Sequence, residues 1–291
     1  MKIILIGHSI IDHYEGIDEK KSSPGGIFYS TIGINSIRKS ADQIYLLTGW
    51  NRNSFSLFEN LYSKVDLDRT NELINMPEVY LKVSGESERE EVYKNVAENL
   101  SVDNVSDWNI YDGVLINMIT GSDILLQQLK YIRKRFKGKI YIDIHTLSRG
   151  IDNKMKREFR PIPNIEEWLA CIDILQCNEN ELKTIVQYQN EVNSAYRILS
   201  SGPNILIVTK GDSGARVYYR SDGEVKNLIV DAIKVNQVNK IGCGDIFGAV
   251  FFYTYISTND ILVSLNAANK AGAIAASRNN LITIPELKLN D

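Results

Sequence analysis

The stretch Lys240-Ile241-Gly242-Cys243-Gly244-Asp245-Ile246-Phe247-Gly248 decides both the fold and the chemistry predicted for this chain. It opens a long apolar segment, Ala249 to Ile256, which is typical of a buried helix. Glycines let the backbone approach a ligand closely, and the first N–H groups of a helix have no partner inside the helix. Because the positive end of the helix dipole lies behind those groups, the stretch predicts an anion site that a phosphate would fit.

Asp245 stands at the same helix start, where its carboxylate would repel a bound phosphate. Its position is explained if it takes a proton from a hydroxyl that attacks the phosphoryl group. The structural alternative is a helix cap after a tight turn. Phe247 occupies the third glycine position of the dinucleotide fingerprint, and no Gly-x-x-x-x-Gly-Lys-Ser/Thr stretch occurs. The pattern therefore favours a kinase over a dinucleotide-dependent oxidoreductase.

Short apolar runs alternate with longer helical patterns along the chain. In order, the predicted strands and helices are Lys2–Ile6, Ile27–Arg38, Gln43–Thr48, Gly113–Asn117, Asp123–Phe136, Lys139–Ile144, Ile172–Gln176, Glu179–Gln187 and Asn204–Thr209. Such alternation indicates parallel β-α-β units with right-handed crossovers. We therefore expect an α/β fold with three layers, α/β/α, and a mostly parallel central sheet, formed as a single domain over residues 1–291.

Polar residues and glycines stand at the ends of several predicted strands. Ligands of parallel sheets bind beyond the carboxyl ends of the strands. We therefore expect one cleft that collects Gly7, Asn117, Asp143, Asn178 and Thr209.

Two segments, near 13–24 and 76–94, do not follow the alternation and predict a small β lid. Val79, Leu81 and Val83 occupy every second position, so they line one face of a strand. An ordinary surface hairpin is the alternative. Because so small a lid cannot bury an apolar face alone, we expect it to close over a substrate or to form a homodimer with a second lid.

The composition excludes several classes of function. A formal net charge of −3 offers no basic surface for nucleic acid, and three histidines are too few to suggest a histidine-built metal site. No segment approaches the ~20 apolar residues of a membrane span, so no membrane partner is expected and the protein is predicted to be cytoplasmic. The three cysteines are typical of reduced thiols. The charged run Glu86 to Glu91 is expected to be a solvated lid tip.

The run Gly242-Cys243-Gly244-Asp245 with Phe247 resembles the Gly-Ala-Gly-Asp-x-Phe signature of the ribokinase-like (PfkB) carbohydrate kinases. Other landmarks of that family follow in the right order over nearly the whole chain. They are Asp12 with Pro24-Gly25-Gly26, then Asn178-Glu179-Asn180-Glu181, Thr209-Lys210-Gly211-Asp212-Ser213-Gly214-Ala215 and the Ala-rich stretch Asn266 to Ala273. The segment Ile142 to Arg149 is similar to one found in the inositol-kinase-like branch. The resemblance implies a ribokinase-like fold with a lid.

The resemblance also implies a role for each matched residue. Asp245 would be the catalytic base, while the N–H groups of Gly242, Cys243 and Gly244 would hold the phosphoryl charge. The residues implied at the substrate are Asp12, Gly25, Gly26, Asn117, Asp143 and Arg149, and those at the nucleotide are Asn178, Thr209, Gly211, Gly214 and Asn269. Glu181 would act on Mg²⁺ through water, because this ion keeps much of its hydration. ATP and Mg²⁺ are the implied cofactors, and a small sugar-like molecule is the implied substrate.

Departures from the family pattern leave two questions open. Asn239 stands where the family usually has Asp, and Lys240 follows it, so the requirement for a monovalent cation is open. Ser30 stands where sugar-specific members often have Asn, so the substrate is open among a furanose or ketose sugar, a nucleoside and a cyclitol. A noncatalytic sugar or nucleotide binder on the same fold is the second hypothesis. The intact Asp245 and its anion site favour the kinase.

Overall fold

The computed structural model describes residues 1–15, 22–82, 90–186, 190–238, 241–278 and 281. Its strands are β1 Lys2–Ile6, β2 Ser9–Glu15, β3 Ser22–Gly26, β4 Gln43–Leu47, β5 Gly49–Trp50, β6 Asn71–Glu72, β7 Glu78–Lys82, β8 Glu90–Asn95, β9 Gly113–Asn117, β10 Lys139–Asp143, β11 Arg149–Ile151, β12 Arg157–Phe159, β13 Ile174–Asn178, β14 Ile205–Thr209, β15 Ala215–Ser221 and β16 Glu224–Val230. Its α-helices are α1 Ile27–Ile37, α2 Glu59–Tyr62, α3 Leu126–Arg135, α4 Ile165–Leu169, α5 Glu179–Ile185, α6 Glu191–Ser200, α7 Cys243–Thr258 and α8 Ile261–Ala276. Short 3-10 helices span Phe55–Leu57, Val102–Asn104, Trp108–Ile110, His145–Ser148 and Gly211–Ser213.

The central sheet has the strand order β16-β15-β14-β13-β10-β9-β1-β4. Within this sheet, neighbouring strands among β4, β1, β9, β10, β13 and β14 pair in parallel. Strands β15 and β16 extend the sheet and pair antiparallel. The hairpin of β15 and β16 turns at Asp222 and Gly223, whose φ angles are 55° and 81°. Two positive φ angles in a two-residue loop match the twist of the strands. The carboxyl ends of the parallel strands thus meet at one edge of the sheet.

Alternate residues of the parallel strands face two separate cores. In β1, Ile3 and Leu5 pack in a cluster that contains apolar residues of α1, α7 and α8, whereas Ile4 and Ile6 pack in a cluster with residues of α3, α4, α5 and α6. A strand that is covered on both faces must be apolar at every position, which is why these strands read as continuous apolar runs. The expected three-layer α/β/α arrangement is confirmed.

Most predicted element bounds agree with the structure, and the exceptions have physical reasons. β13 lies two residues later than expected, because it continues through Asn178 before α5 begins. Helix α3 begins at Leu126 instead of Asp123, because the Asp123 side chain accepts hydrogen bonds from a neighbouring loop and is not helical. α5 ends at Ile185, and Gln187 lies outside the described residues. The antiparallel pair β11 and β12 was not predicted.

The predicted lid segments overlap the four strands of a second sheet, in the order β3-β2-β7-β8, but β2 begins at Ser9, before the predicted segment. Its apolar side chains, Ile10, Val79, Leu81 and Tyr93, are buried in the core cluster that also contains residues of α1 and α7. This face is therefore covered within the chain and is not available to a lid of a second subunit. Val83 lies outside the described residues.

The prediction of a solvated tip is wrong at Glu91, and residues 86–89 lie outside the described residues. Glu91 is only 3% exposed on strand β8. The neighbouring Tyr93 N–H donates to the carbonyl oxygen of Met155 at 2.9 Å, so β8 is joined to the segment between β11 and β12. The local run of charges does not indicate that β8 pairs with a distant segment of the chain.

Among the described residues, no helix combines the length and the apolarity that crossing a membrane requires.

Asp123 fastens the end of β1 to the loop that follows β9. Its carboxylate is fully buried and accepts hydrogen bonds from the His8 N–H at 2.8 Å, the Thr120 N–H at 2.8 Å and the Gly121 N–H at 3.1 Å. Its removal would leave these buried N–H groups without their partner, and each such group costs about 1–3 kcal/mol.

We predict that Asp123→Ala lowers the free energy of unfolding by about 3 kcal/mol or more, because several buried donors lose one acceptor. Urea unfolding measures the change. Asp68→Ala removes an exposed aspartate and is the control, with an expected change within about 0.5 kcal/mol. Equal unfolding midpoints for the two variants would contradict the structural role of Asp123.

Candidate active site

Helix α7 begins where the chain turns sharply after Ile241. Gly242 is the N-cap and has φ 75°, and a Cβ atom there would lie 2.5 Å from the ring of Tyr29. Gly244 is exposed, and a Cβ atom there would meet nothing within 4 Å. Gly242 is therefore required by backbone conformation and packing, whereas Gly244 leaves open space in front of the helix. The first α-helical hydrogen bond runs from the Ile246 N–H to the Gly242 carbonyl at 3.0 Å, so the N–H groups of residues 243–245 precede it.

Asp245 lies in the first turn of α7 and is held from the end of strand β9. The Asn117 Nδ2 donates to Asp245 Oδ1 at 2.6 Å and to Ser30 Oγ at 3.1 Å. Asn117 is buried, whereas Asp245 is partly exposed. Because one carboxylate oxygen is engaged by a buried amide, the orientation of Asp245 is fixed by the sheet. The structure thus places Asn117, which the sequence predicts at the substrate, against the predicted base.

Gln176 was missed by the sequence analysis and connects two parts of the site. It is 2% exposed on β13, and its Nε2 donates to Asp143 Oδ2 at 2.8 Å and to the Gly244 carbonyl at 3.1 Å. The link joins the ends of two strands to the first turn of α7. An amide within an otherwise apolar strand is the sequence signal that could have identified it, because buried polar groups are nearly always hydrogen-bonded.

A compact cluster of charged side chains lies beside the strand ends. Glu181 Oε1 is 3.4 Å from His145 Nδ1 and 3.5 Å from Arg149 Nη2. The other terminal nitrogen of Arg149, Nη1, is 3.6 Å from Glu91 Oε1 in the lid. Asp143 Oδ1 accepts a hydrogen bond from the His145 N–H at 3.2 Å. The predicted residues Asp143, Arg149 and Glu181 are therefore in one electrostatic group.

Burial and mutual charge set the protonation of this cluster. Burial raises the pKa of Asp143 to about 8, and the charge of Glu181 adds to the effect while His145 opposes it. Burial alone would raise the pKa of Glu181, but the hydrogen bond from His145 and the charge of Arg149 hold it below its usual range. Burial alone would lower the pKa of His145, and the hydrogen bond to Glu181 outweighs it. At neutral pH, Asp143 is therefore protonated and Glu181 is ionised.

Asn178 and Glu181 form a capping box at the start of α5. Asn178 Oδ1 accepts from the Asn180 and Glu181 N–H groups at 2.9 Å, and Glu181 Oε2 accepts from the Asn178 N–H at 2.8 Å. The capping box accounts for both residues structurally. The other oxygen of Glu181 faces Arg149 and His145.

The carboxylates of this region suit Mg²⁺ by chemistry, since this ion prefers oxygen ligands. Within the part of the chain that the structure describes, no three His, Cys, Asp or Glu side chains are placed to hold one ion directly. The residues fit a hydrated Mg²⁺ whose remaining ligands are water and phosphate, and they do not form a protein cage.

A cavity of about 30 Å³ lies between the lid, α1 and α7. Its lining residues are Ile10, Asp12, Gly26, Tyr29, Val79, Leu81, Glu91, Tyr93, Ile119, His145, Ile241, Gly242 and Asp245. Asp12 accepts a hydrogen bond from Tyr29 Oη at 3.1 Å, and a Cβ atom at Gly25 would lie 2.3 Å from its Oδ2. Gly25 is thus required by the close approach of the Asp12 carboxylate. The cavity brings Asp12, Gly26, Gly242 and Asp245 together.

The residues predicted at the nucleotide lie outside this cavity. Thr209 pairs with Asn178 in the register of β13 and β14, and Gly211 begins the 3-10 helix that follows. Gly214 has φ 90°, and a Cβ atom there would lie 2.0 Å from the Val230 carbonyl oxygen. Asn269 Nδ2 on α8 donates to the Asp231 carbonyl at 2.9 Å. Asn269 therefore fastens α8 to the segment after β16. Asn239 and Lys240 lie outside the described residues.

Comparison with known proteins agrees with this architecture. Residues 147–287 match the model of the pfkB family of carbohydrate kinases. This part of the chain is similar to that family. Similar curated proteins include an ATP-dependent ribose-1-phosphate kinase of Halopiger xanaduensis, 30% identical over 41% of this chain and 38% of that protein, and a deoxyribokinase of Salmonella typhi, 29% identical over 43% of this chain and 42% of that protein. The matches therefore span about two fifths of the length of these relatives.

Solved structures of the ribokinase family share the fold of this chain. A pyrophosphate-dependent kinase of the ribokinase family, complexed with a pyrophosphate analogue and myo-inositol, has a TM-score of 0.76 at 16% identity and covers 96% of each chain. Arabidopsis thaliana ribokinase, complexed with ribose and ATP, has a TM-score of 0.74 at 19% identity over 99% of this chain and 96% of its own. The expected ribokinase-like fold is confirmed.

We predict that Asp143→Asn changes the pH dependence of stability. The folded state retains the Asp143 proton up to about pH 8, whereas the unfolded chain releases it near the ordinary pKa of 3.8. The stabilisation that comes from keeping Asp143 protonated is complete below the pKa of Asp143 in the unfolded chain. It is lost as the pH rises through the pKa of Asp143 in the folded state. The free energy of unfolding of the wild type should therefore fall relative to Asp143→Asn between pH 5 and pH 8, by about 1.4 kcal/mol per pH unit at most. Urea unfolding at four pH values measures it, and parallel curves would contradict the prediction.

Proposed function

We propose that this chain is a kinase that transfers the γ-phosphate of ATP to a hydroxyl group of a small, uncharged sugar-like compound. The observation that supports the proposal most directly is Asp245, which is held by Asn117 at the start of α7 and lines the same cavity as Asp12. A general base must lie within hydrogen-bond reach of the hydroxyl it deprotonates. The place of Asp245 between this cavity and a helix N-terminus supports its assignment as that base.

Each residue of the site then has a defined task. Asp12 accepts hydrogen bonds from substrate hydroxyls, and a carboxylate can accept two from a vicinal diol. Asp245 takes the proton of the attacking hydroxyl, while the N–H groups of Gly242, Cys243 and Gly244 stabilise the charge on the phosphoryl group. Bound Mg²⁺ would neutralise part of the phosphate charge, and Glu181 with Asn178 would orient its waters. Gln176 holds the Gly244 carbonyl and thereby fixes the first turn of α7.

We assign the donor to the edge of the sheet beyond β14, where Thr209, Gly211, Gly214 and Asn269 are proposed to contact the nucleotide. The similarity to a ribose-1-phosphate kinase named as ATP-dependent supports ATP as the donor. A similar solved structure is named as a pyrophosphate-dependent kinase, so pyrophosphate is the alternative donor. Assays with each donor separately distinguish the two.

The charge of the cavity supports an acceptor that carries no phosphate. Asp12, Glu91 and Asp245 contribute three carboxylates to its lining. The nearby Arg149 is already shared between Glu91 and Glu181. A second phosphate in the acceptor would meet like charges at close range, which is costly in a poorly solvated site.

A release assay for ADP across acceptors tests the proposal. Ribose, deoxyribose and myo-inositol represent uncharged acceptors, adenosine represents nucleosides, and ribose 1-phosphate represents charged ones. Turnover with an uncharged polyol and none with ribose 1-phosphate is expected. Turnover with ribose 1-phosphate alone would overturn the assigned acceptor class, and no turnover with any compound of this chemistry would favour a noncatalytic binder.

We predict that Asp245→Asn reduces kcat by ~10²-fold or more while the affinity for nucleotide stays nearly unchanged, because the amide keeps the shape but cannot accept the proton. Steady-state kinetics and calorimetric titration of Mg-ATP measure the two effects. Asp231→Asn is the control on the nucleotide side, because only the backbone carbonyl of Asp231 is engaged by Asn269. Retention of more than about a tenth of kcat in Asp245→Asn would remove Asp245 from the role of base.

We predict that Asp12→Ala raises the KM of the acceptor by about tenfold or more, because charge-assisted hydrogen bonds to the substrate are lost. The KM of the nucleotide should change little. Ser23→Ala, which removes a hydroxyl bonded to Tyr14 on the adjacent strand, is the control and should keep both values. An unchanged KM of the acceptor in Asp12→Ala would mean that the substrate binds elsewhere.

A further inference from the structure

Glu91 is a buried carboxylate on the lid that faces a charge on the main body of the protein. It lies on β8 and is 3% exposed, and its Oε1 is 3.6 Å from Arg149 Nη1. Arg149 opens strand β11, which is not part of the lid sheet. Removing one member of a buried ion pair leaves the other charge poorly compensated, which is strongly unfavourable. The contact therefore favours the closed lid.

The same guanidinium group is also fixed from the body of the protein. Its Nη2 is 3.5 Å from Glu181 Oε1, and its central carbon lies 4.7 Å from the centre of the Phe159 ring. The side chain of Arg149 is only 10% exposed. One arginine thus joins a carboxylate of the lid to a carboxylate at the start of α5.

Further contacts also join β8 to the body. The Tyr93 hydroxyl donates to the Ile119 carbonyl at 3.1 Å, and the Arg157 guanidinium lies 4.2 Å from the Tyr93 ring centre. By contrast, Glu78 on strand β7 is 2.9 Å from His13 and 3.1 Å from Lys94, both within the lid sheet. Glu78 is therefore a matched control for Glu91. Glu91 bonds across the boundary of the lid, whereas Glu78 bonds inside the lid sheet.

We propose that Glu91 is a positioning residue, which holds the lid closed through Arg149 and thereby fixes Arg149 and Glu181 beside the cavity. When the lid opens, Glu91 moves away from Arg149, while the Glu181 oxygen that Arg149 shares with His145 stays on the body of the protein. Closure over an acceptor therefore completes the charged cluster at the same time as it excludes water. The consequence for turnover rests on the proposed kinase function, whereas the consequence for lid opening does not.

Amide hydrogen exchange of residues 90–95 tests the lid contact without any ligand. We expect exchange at least tenfold faster in Glu91→Gln than in the wild type, and within twofold of the wild type in Glu78→Gln. Adding Glu91→Gln to Arg149→Gln should cause no further increase if Glu91 acts through Arg149. Equal exchange in Glu91→Gln and Glu78→Gln, or additive effects in the double variant, would overturn the proposal.

Kinetics with an acceptor that supports turnover then test the consequence for the reaction. Glu91→Gln should lower kcat at least tenfold with a change of less than threefold in the KM of the nucleotide, and Glu78→Gln should keep both values. An unchanged kcat in Glu91→Gln would overturn the positioning role. If Glu91→Gln fails to fold, Arg149→Lys tests the same pair from the other side. Absence of turnover in the wild type would reject the proposed function, while the exchange rates would still decide whether Glu91 holds the lid.

Discussion

The hydrogen bond from Asn117 to Asp245 is the contact on which the rest of the site depends. It joins the carboxyl end of β9 to the first turn of α7, across a sequence separation of 128 residues. Gln176 makes a second connection of the same kind, from β13 to the Gly244 carbonyl. Two amide side chains at the ends of parallel strands therefore set the position of a helix start. The sheet thereby fixes the position of the Asp245 carboxylate relative to the predicted anion site at the start of α7.

Electrostatics limit what else this site can accommodate. Asp12, Glu91, Asp143, Glu181 and Asp245 are all close to one edge of the sheet, and so many ionised carboxylates would repel each other in a poorly solvated region. The cluster reduces that cost in two ways. Asp143 keeps its proton, because burial raises its pKa to about 8. Glu91 and Glu181 share the charge of Arg149. The repulsion that remains is one reason for assigning an uncharged acceptor to the proposed kinase.

The parts of the structure that depend on local pattern could be predicted from the sequence. Continuous apolar runs indicated the buried parallel strands, and the glycines before a long apolar segment indicated the start of α7. The family resemblance supplied Asp12 and Asp245, which the structure brings to one cavity.

The parts that depend on contacts between distant segments could not be predicted in this way. Glu91 belongs to a charged run that is typical of a solvated tip, and that run does not indicate its contact with Arg149 or the pairing of β8 with the segment around Met155. The helical pattern included Asp123, because nothing in the sequence indicates that the His8 and Thr120 N–H groups will use its carboxylate. The role of Gln176 as a donor to the Gly244 carbonyl can be recognised only when the first turn of α7 lies against β13. In each case the role of the side chain depends on a partner that is distant in the sequence and that the fold brings close.

A crystal structure of the protein with a nonhydrolysable ATP analogue, Mg²⁺ and an acceptor that supports turnover would test the central claim most directly. The account predicts one acceptor hydroxyl within about 2.6–3.2 Å of the Asp245 oxygen that Asn117 does not hold. It also predicts the terminal phosphate in front of the N–H groups of residues 242–244. An acceptor bound away from Asp245, or a terminal phosphate placed away from the start of α7, would contradict it.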